Sequence, residues 1–358
     1  MSFVAVARCS DYSPPAVRRA VEEVLAPLGG IEAFVRPGER VLLKPNLLQA
    51  SLPEKAVTTH PVVVQVVAEV VRDAGAQPLL GDSPAVGPWK LVLRRTGMYE
   101  VARRVGVEVV NFSKPQRVLL PEGFSFRVLE LASAALSADR IINLPKLKTH
   151  SMMLMTLAVK NLFGCVPGMR KAGWHLKAGT DRGFFATLLL EICLALKPCL
   201  TVMDAIVAME GEGPTSGTPR RVGALIASED PVALDRAVME ALGFEPTVLP
   251  VLEVASRRGL LPEVKVIGDP FTTSAFRLPR AADLTWGLPG FLKGPIRRAF
   301  LPRPKVDFGR CKGCGLCAEA CPPKVITIIE GKPNIDYTGC IRCYCCQEVC
   351  PEGAVEIR

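Results

Sequence analysis

The last fifty residues of the chain contain the same cysteine motif twice. CKGCGLCAEACP begins at Cys311 and CIRCYCCQEVCP begins at Cys340, and in both copies the cysteines follow the pattern C-x2-C-x2-C-x3-C with a proline directly after the last one. Every cysteine of the first copy recurs at the same offset in the second, so the motif is an internal duplication. It leaves roughly 290 residues to form one large domain or two smaller ones.

The spacing of these cysteines favours iron–sulfur chemistry. Three thiolates spaced three residues apart on a tight loop can point at three corners of one cuboidal cluster, and the fourth corner needs a thiolate from elsewhere. Residues 305–358 resemble the bacterial ferredoxin domain that holds two [4Fe-4S] clusters. The resemblance implies that the last cysteine of each run ligates the other cluster. The implied ligands are Cys311, Cys314, Cys317 and Cys350 for cluster 1, and Cys340, Cys343, Cys346 and Cys321 for cluster 2.

Two other common uses of cysteine fit this tail less well. Structural zinc takes four ligands, usually as two separated C-x2-C pairs, whereas eight cysteines stand here in two triplets and two Cys-Pro ends. Disulfides are typical of small secreted domains, and the start MSFVAVARCSDYS has no basic region followed by an apolar run. Cys345 lies outside the pattern, and we expect it to be a non-ligand beside the cluster, or alternatively a residue that substitutes as a ligand or tunes the potential.

Composition and charge predict a soluble cytoplasmic protein with a basic body. The longest apolar stretch is interrupted by Glu191, Lys197 and Pro198, which would be costly in a bilayer, so no transmembrane segment is expected. The net charge is +9, and residues 301–358 carry only +1 of it. A basic body suggests an anionic small molecule or an acidic redox partner protein. Nucleic acid is not expected, because no recognised motif and no basic patch interleaved with aromatic residues is present.

Strand-like and helix-like segments alternate over residues 1–275. Strands are predicted near residues 5, 42, 79, 110, 142, 201, 225 and 266, and helical patterns span 14–29, 61–75, 183–197 and 230–243. This alternation predicts an α/β body with a large, mainly parallel sheet, followed by a small α+β ferredoxin-like domain at 305–358. Residues 276–304 are rich in proline, glycine and basic residues. They are predicted to be a linker anchored by Trp286, Phe291 and Phe300, or alternatively a contact with a membrane surface or a partner.

Polar residues follow several predicted strands, at the edge where sheets of this class bind ligands. The candidates for catalysis are His60, His150, Lys146, Lys148, Asp82 and Asp204. The candidates for ligand binding are Lys44, Asn46, Thr59, Ser83, Lys160, Asn161 and Glu210. Each group also has a structural interpretation. In that interpretation Thr59 and His60 start a helix, Asp82 and Ser83 form a turn, Asp204 caps a loop, and the lysines belong to a solvated face.

The chemistry of these side chains favours an anion site. A lysine such as Lys160, in a mostly apolar stretch, is costly to bury without a partner. Imidazole titrates near neutral pH, so His60 or His150 is predicted to supply protons. Asp82, Asp204 and Glu210 are predicted to orient a substrate or to bind a divalent metal through hard oxygen ligands. No motif for a second redox cofactor is visible, and whether a flavin binds is left open.

The segments VLLKPNLL, TTHP, LLGDSPA, LPKLKTHSMMLMTLAVKNLFGCVPG and IASEDPVALD together resemble the domain-of-unknown-function family numbered 362. The resemblance covers nearly the whole body. It implies an iron–sulfur protein of anaerobic or redox metabolism, and it leaves the reaction itself open.

Three functions are compatible with these features. The first is an electron-transfer oxidoreductase whose two clusters pass low-potential electrons to an anionic substrate in the body. The second is a non-catalytic redox adaptor that delivers electrons to a partner enzyme, and the third is a metal or cluster carrier used in maturation. Two-electron chemistry normally needs a cofactor that pairs electrons, and this weakens the case for a complete catalyst.

Overall fold

The computed structural model describes residues 1–271, 273, 275–280 and 302–358. The strands of the body are β1 (Ser2–Arg8), β2 (Arg40–Pro45), β3 (Gln77–Asp82), β4 (Glu108–Asn111), β5 (Pro115–Leu119), β6 (Val128–Ala132), β7 (Arg140–Leu144), β8 (Lys146–His150), β9 (Leu154–Thr156), β10 (Leu200–Glu210), β11 (Thr218–Ser228) and β12 (Val264–Gly268). The α-helices of the body are α1 (Pro14–Leu25), α2 (Pro61–Asp73), α3 (Trp89–Arg95), α4 (Met98–Val105), α5 (Ser133–Leu136), α6 (Ala158–Asn161), α7 (Arg170–Ala178), α8 (Arg182–Leu196), α9 (Pro231–Ala241) and α10 (Pro250–Arg257).

One 10-stranded sheet organises the body. Its order is β12-β1-β11-β10-β7-β2-β3-β4, with β8 paired to β10 and β9 paired to β8. Most neighbours are parallel, whereas β11 runs antiparallel to β1 and β10, and β9 runs antiparallel to β8. Strands β5 and β6 form a separate antiparallel hairpin. This mixed, mostly parallel sheet with helices confirms the predicted α/β class.

Apolar side chains cover both faces of the sheet. Successive strand residues point to opposite faces, so Leu42 joins one core while Val41 and Leu43 join the other. Helices α1 to α4 pack on the face of Val41, and α6, α8, α9 and α10 pack on the face of Leu42. Because both faces are covered, only the ends of the strands are open to form a ligand site.

Two segments that the sequence predicted as loops beyond a strand belong to the sheet. Lys146 and Lys148 lie within β8, and Asp204 and Glu210 lie within β10. Strand β10 has 11 residues, so it extends past the end of β7 and offers backbone partners to the residues after Pro145. The pairing of β10 is irregular after Ala205. Lys146 and Lys148 do follow the end of β7, but they lie in a further strand, and the prediction that Asp204 and Glu210 follow the end of a strand is wrong.

The C-terminal part is a small unit of short antiparallel sheets and one-turn helices, as predicted. Its elements are β13 (Pro304–Val306), α11 (Leu316–Glu319), β14 (Ile326–Ile329), β15 (Lys332–Ile335), α12 (Cys345–Glu348) and β16 (Val355–Ile357). Strand β13 pairs with β16, and β14 pairs with β15. The proposed anchors Trp286, Phe291 and Phe300 lie outside the described residues, and the boundaries of the linker stay a prediction.

Helix α12 attaches this unit to the body through buried polar contacts. The Ser151 hydroxyl donates to Gln347 Oε1 at 2.7 Å, and Gln347 Nε2 donates to the Glu212 carbonyl at 3.1 Å. Thr215 Oγ1 donates to the Gln347 carbonyl at 3.2 Å. Gln347 is only 1% exposed, so losing these bonds would leave a buried amide without partners.

Candidate functional site

The eight cysteines of the duplicated motif line two separate cavities. One cavity, of about 20 Å³, is lined by Cys311, Cys314, Cys317 and Cys350. The other, also about 20 Å³, is lined by Cys321, Cys340, Cys343 and Cys346. The fold thus brings the last cysteine of each run to the other run. This grouping fits two cubane clusters with the predicted ligand sets, and the ligand assignment itself stays a prediction.

The two cysteine cavities differ in exposure. Cys314 is exposed, whereas Cys321, Cys343 and Cys346 are all buried. One thiol of the first cavity is therefore open to solvent, and three of the four thiols around the cavity of cluster 2 are shielded. Residues next to the thiols of cluster 2 also form a wall of a third cavity, in the body.

This third cavity, here called the lysine cavity, lies at the carboxyl ends of the body strands. Its volume is about 110 Å³, and helix α12 closes one side of it with Cys345 and Glu348. It contains eight of the residues predicted as site candidates, which are Lys44, Asn46, Asp82, Ser83, Lys148, His150, Lys160 and Asn161. Cys345 lines this cavity and neither of the two cysteine cavities.

A buried ion pair stands at one end of the lysine cavity. Lys44 Nζ lies 2.9 Å from Asp82 Oδ1, and both side chains are buried. The Lys44 ammonium also donates to the Pro45 carbonyl at 2.6 Å, and the Asp82 carboxylate accepts from the backbone of Leu47 at 2.7 Å. A Cβ on Gly164 would come within 2.1 Å of Asp82 Oδ1 and 2.6 Å of Lys44 Nζ. A side chain at position 164 would therefore displace this ion pair.

Buried amides fix the position of Lys148. Its ammonium donates to Asn46 Oδ1 at 2.9 Å and to the Val57 carbonyl at 2.6 Å. Asn46 Nδ2 donates to Asn161 Oδ1 at 2.9 Å, and Asn161 Nδ2 donates to Asn143 Oδ1 at 2.8 Å. Each amide donates through its nitrogen and accepts through its oxygen, so these hydrogen bonds fix the orientation of the Asn46 side chain. Its amide oxygen therefore faces Lys148.

Three lysines of the cavity have no carboxylate in a salt bridge. Lys148 is held by neutral oxygens, and Lys171 donates to the Ser83 carbonyl at 2.6 Å. Within the described part of the chain, Lys160 has neither a hydrogen bond nor an ion pair. Burial lowers the pKa of Lys171 to about 7, lowers that of Lys148 well below its ordinary value, and lowers that of Lys160. An anion bound among them would favour their charged forms.

Two histidines of the cavity are held neutral. His150 Nδ1 accepts from the backbone of Met152 at 3.1 Å and of Met153 at 3.2 Å, so the ring proton lies on Nε2, 2.9 Å from Glu348 Oε1. Burial lowers the pKa of His150 and of His175 to about 4. Burial opposes ionisation of Glu348, but the imidazole of His150 and the ammonium of Lys160 lower its pKa. The expectation that His150 titrates near neutral pH is therefore wrong.

Four predicted candidates belong to other contacts. Lys146 Nζ lies 2.8 Å from Asp204 Oδ2, and both groups bond to the Tyr12 hydroxyl, at 2.9 and 2.8 Å. His60 stacks on the Tyr12 ring at 3.6 Å and accepts a bond from the start of α2. Burial lowers the pKa of His60 to about 4, so it too does not titrate near neutrality. Thr59 Oγ1 donates to the Leu144 carbonyl at 2.7 Å. None of Lys146, Asp204, His60 and Thr59 lines the lysine cavity.

The three carboxylates proposed for a divalent metal do not form one site. Asp82 pairs with Lys44, and Asp204 pairs with Lys146. Glu210 pairs with Arg220 at 2.8 Å and with Arg277 at 2.9 Å. Among the described residues, no three His, Cys, Asp or Glu side chains are grouped to hold a single metal ion. Asp82 and Asp204 neutralise buried lysines instead, and Glu210 pairs with two arginines that are partly exposed.

Sequence reasoning missed five residues of these networks, which are Tyr12, Asn143, Lys171, His175 and Glu348. A signal existed for two of them, because Lys171 and His175 are four residues apart and so share one face of α7. Glu348 lies inside the second cysteine motif, where the cysteines dominated the interpretation. Tyr12 lies 192 residues from Asp204, and no local pattern connects the two.

Comparisons with known proteins agree with this division of the chain. Residues 41–240 match the model of a family described as a domain of unknown function, DUF362, and residues 310–354 match a 4Fe-4S dicluster domain. The "Thylakoid-associated protein sll1697" of Synechocystis sp. (strain ATCC 27184 / PCC 6803 / Kazusa) is 38% identical over 305 residues, which cover 83% of this chain and 94% of that protein.

Two solved structures show a weaker likeness. The lactate racemase apoprotein from Thermoanaerobacterium thermosaccharolyticum has 11% identity and a TM-score of 0.40, covering 64% of this chain and 55% of that one. A structural genomics target from Thermotoga maritima has 13% identity and a TM-score of 0.42, covering 70% of this chain and 60% of that one. The chain spans less than two thirds of either structure.

The dicluster match confirms the two predicted [4Fe-4S] clusters, and with them an electron-transfer role and a redox partner. Among the described helices, none has both the length and the apolarity needed to cross a bilayer. The DUF362 match extends over more than half of the chain, and the Synechocystis protein is aligned over most of its own length. The chain therefore belongs to the DUF362 family and carries a C-terminal 4Fe-4S dicluster domain.

Proposed function

We propose that the protein is an oxidoreductase that delivers electrons from its two clusters to an anionic substrate in the lysine cavity. The observation that carries the proposal is that the segment around α12 lines both the lysine cavity and the cysteine cavities. Cys345 and Glu348 line the lysine cavity. The neighbouring cysteines Cys343, Cys346 and Cys350 line the cysteine cavities. A substrate held by the lysines would thus lie beside the ferredoxin unit.

The exposure of the cysteines supports an order for the two clusters. Cys314 is exposed, so a redox partner can approach cluster 1 from solvent. Cys343 and Cys346 are buried beside the thiol that lines the lysine cavity. In this proposal cluster 1 receives electrons from the partner, and cluster 2 is the one next to the substrate.

Protons for the substrate would come from a lysine. His150 and His175 have pKa values of about 4 and hold few protons to give at pH 7. Lys171 has a pKa lowered to about 7 by burial, which suits a general acid at neutral pH. Its ammonium is held by the Ser83 carbonyl at the cavity wall, in reach of a bound ligand.

The test is reoxidation of the reduced protein under anaerobic conditions. The dithionite-reduced protein is mixed with single anions, and the visible absorbance of the clusters is followed. We expect at least one anion to reoxidise the wild type, and Lys148→Met to slow this at least about tenfold, because one charge contact with the anion is lost. Lys177→Met is the matched control, since Lys177 is exposed on α7.

Iron and acid-labile sulfide must be equal in all three proteins. If no anion reoxidises the clusters, or if Lys148→Met reacts as fast as the wild type, the oxidoreductase proposal is wrong. A redox adaptor would then be favoured, since the exposed Cys314 serves that function equally well. We also propose a location on the cytoplasmic side, where the name of the Synechocystis relative would fit attachment at a membrane surface. Fractionation of cells tests this location.

A further inference from the structure

We propose that the anion bound in the lysine cavity is a short-chain dicarboxylate of about three or four carbon atoms. This inference rests on the proposed function, because it names the class of ligand for the same cavity. Three independent features carry it: the balance of charges, the polar groups without partners, and the apolar part of the wall.

The charge balance of the cavity favours a dianion. The charge of Lys44 is matched by Asp82 at 2.9 Å. The other three lysines face one further carboxylate, that of Glu348. When these lysines are protonated, two positive charges stay unmatched in a site that is partly shielded from water, and such charges are costly without a counter-ion. A ligand with two negative charges would neutralise them.

Three polar side chains that line the cavity, those of Thr156, Lys160 and His175, have a polar atom without a partner among the described residues. His175 is 5% exposed, and its Nδ1 has no hydrogen bond. Lys160 lines the same cavity and likewise has no hydrogen bond, although its side chain is only partly buried. Buried polar groups are almost always hydrogen-bonded in native proteins. All three groups can donate a hydrogen bond, so a ligand rich in acceptor oxygens would satisfy them.

The remaining wall argues for a carbon chain between the charges. Leu48, Phe163, Met169 and Val349 line the cavity together with the lysines. An inorganic oxyanion would leave these side chains without apolar contact. The volume of about 110 Å³ is somewhat below the roughly 150 Å³ of a cavity that takes up benzene, so the enclosed part of a ligand is limited to a few carbon atoms. A short dicarboxylate meets both conditions.

The test is calorimetric titration of the oxidised, anaerobically purified protein with both clusters bound. The probes are malonate, succinate and glutarate, with butyrate as a monocarboxylate and inorganic phosphate as a dianion without carbon. We expect one dicarboxylate to bind at least about tenfold more tightly than butyrate and than phosphate. We also expect Lys160→Met to weaken that binding about tenfold, and Lys177→Met to leave it unchanged.

Several results would overturn the dicarboxylate. These are butyrate or phosphate binding as tightly as the best dicarboxylate, the absence of binding by all three, or the same affinity in Lys160→Met. The series of chain lengths in the wild type keeps the test valid if a variant fails to fold. The three dicarboxylate probes are saturated and have no group that accepts electrons, so the titration tests only the class of ligand, and electron delivery is judged by the reoxidation experiment alone. Reoxidation of the clusters by an anion that is not a dicarboxylate would refute only the dicarboxylate proposal.

Discussion

Gly164 shows how closely single atoms are placed in the lysine cavity. The backbone at this position touches the Lys44–Asp82 ion pair, and both partners are almost completely buried. A buried pair of this kind stabilises the fold only while its geometry is intact, because separating the charges leaves each of them without compensation. The backbone of the segment after α6 therefore sets the position of two cavity side chains.

We predict that Gly164→Ala lowers the free energy of unfolding by about 1–3 kcal/mol, since the new methyl group overpacks the ion pair. Ligand affinity in the lysine cavity should fall as well. The matched control is Gly173→Ala in α7, where a Cβ meets nothing within 4 Å and helix propensity predicts a gain of up to about 1 kcal/mol. Thermal unfolding of both variants checks the difference, and equal stability would contradict it.

At the scale of elements, the one-turn helix α12 has two functions. Its buried Gln347 bonds to the body, and its neighbour Glu348 lines the lysine cavity. The sequence showed this segment only as part of a cysteine motif, because the cysteine spacing constrains the loop without indicating what lies behind it. Strand β8 is a similar case. Its pairing with β10 depends on a partner more than fifty residues away, which no local pattern reveals.

We predict that Gln347→Ala weakens ligand binding in the lysine cavity while iron and sulfide contents stay the same. The reason is that a wall of the cavity loses its attachment to Ser151 and Glu212, with an expected loss of about 1–3 kcal/mol in unfolding free energy. The control in the same unit is Asn334→Ala, because Asn334 is an exposed residue of β15. A variant that binds ligand like the wild type would show that α12 is held by other contacts.

For the whole molecule, all three histidines of the chain have lowered pKa values. Burial holds His60, His150 and His175 at about 4, against an ordinary value of 6.5. Between these two values the unfolded chain binds more protons than the folded one, so stability rises with pH. The stabilisation that comes from these lowered pKa values is complete above about pH 6.5 and is lost as the pH falls towards 4.

We predict that the denaturant midpoint falls as the pH is lowered from 7 to 5. Each histidine adds a slope of up to about 1.4 kcal/mol per pH unit in this range. His175→Gln should remove one of these contributions, because His175 is buried and glutamine does not titrate. Guanidinium titrations at several pH values measure the slope, and an unchanged slope in the variant would exclude His175 as a source.

The sequence allowed the α/β class, the dicluster unit and eight of the residues that line the lysine cavity to be predicted. Lys44, Asp82 and Asn46 follow or end strands whose hydrophobic runs are plain, so strand ends indicated the site. Lys146 and Asp204 have the same local pattern, yet they form a closed network with Tyr12. Which buried charges pair with each other depends on side-chain packing across the sheet, and residue spacing carries no information about it.

Because α12 lines cavities in both parts of the chain, anion binding in the lysine cavity and reduction of the clusters are thermodynamically coupled. An electron added next to Glu348 and Cys345 repels an anion held by Lys148 and Lys160. By reciprocity, that anion makes the addition of the electron harder by the same free energy. An anion bound in the lysine cavity would thus shift the reduction potential of the nearby cluster. Each tenfold difference in anion affinity between the oxidised and the reduced protein corresponds to about 59 mV for one electron.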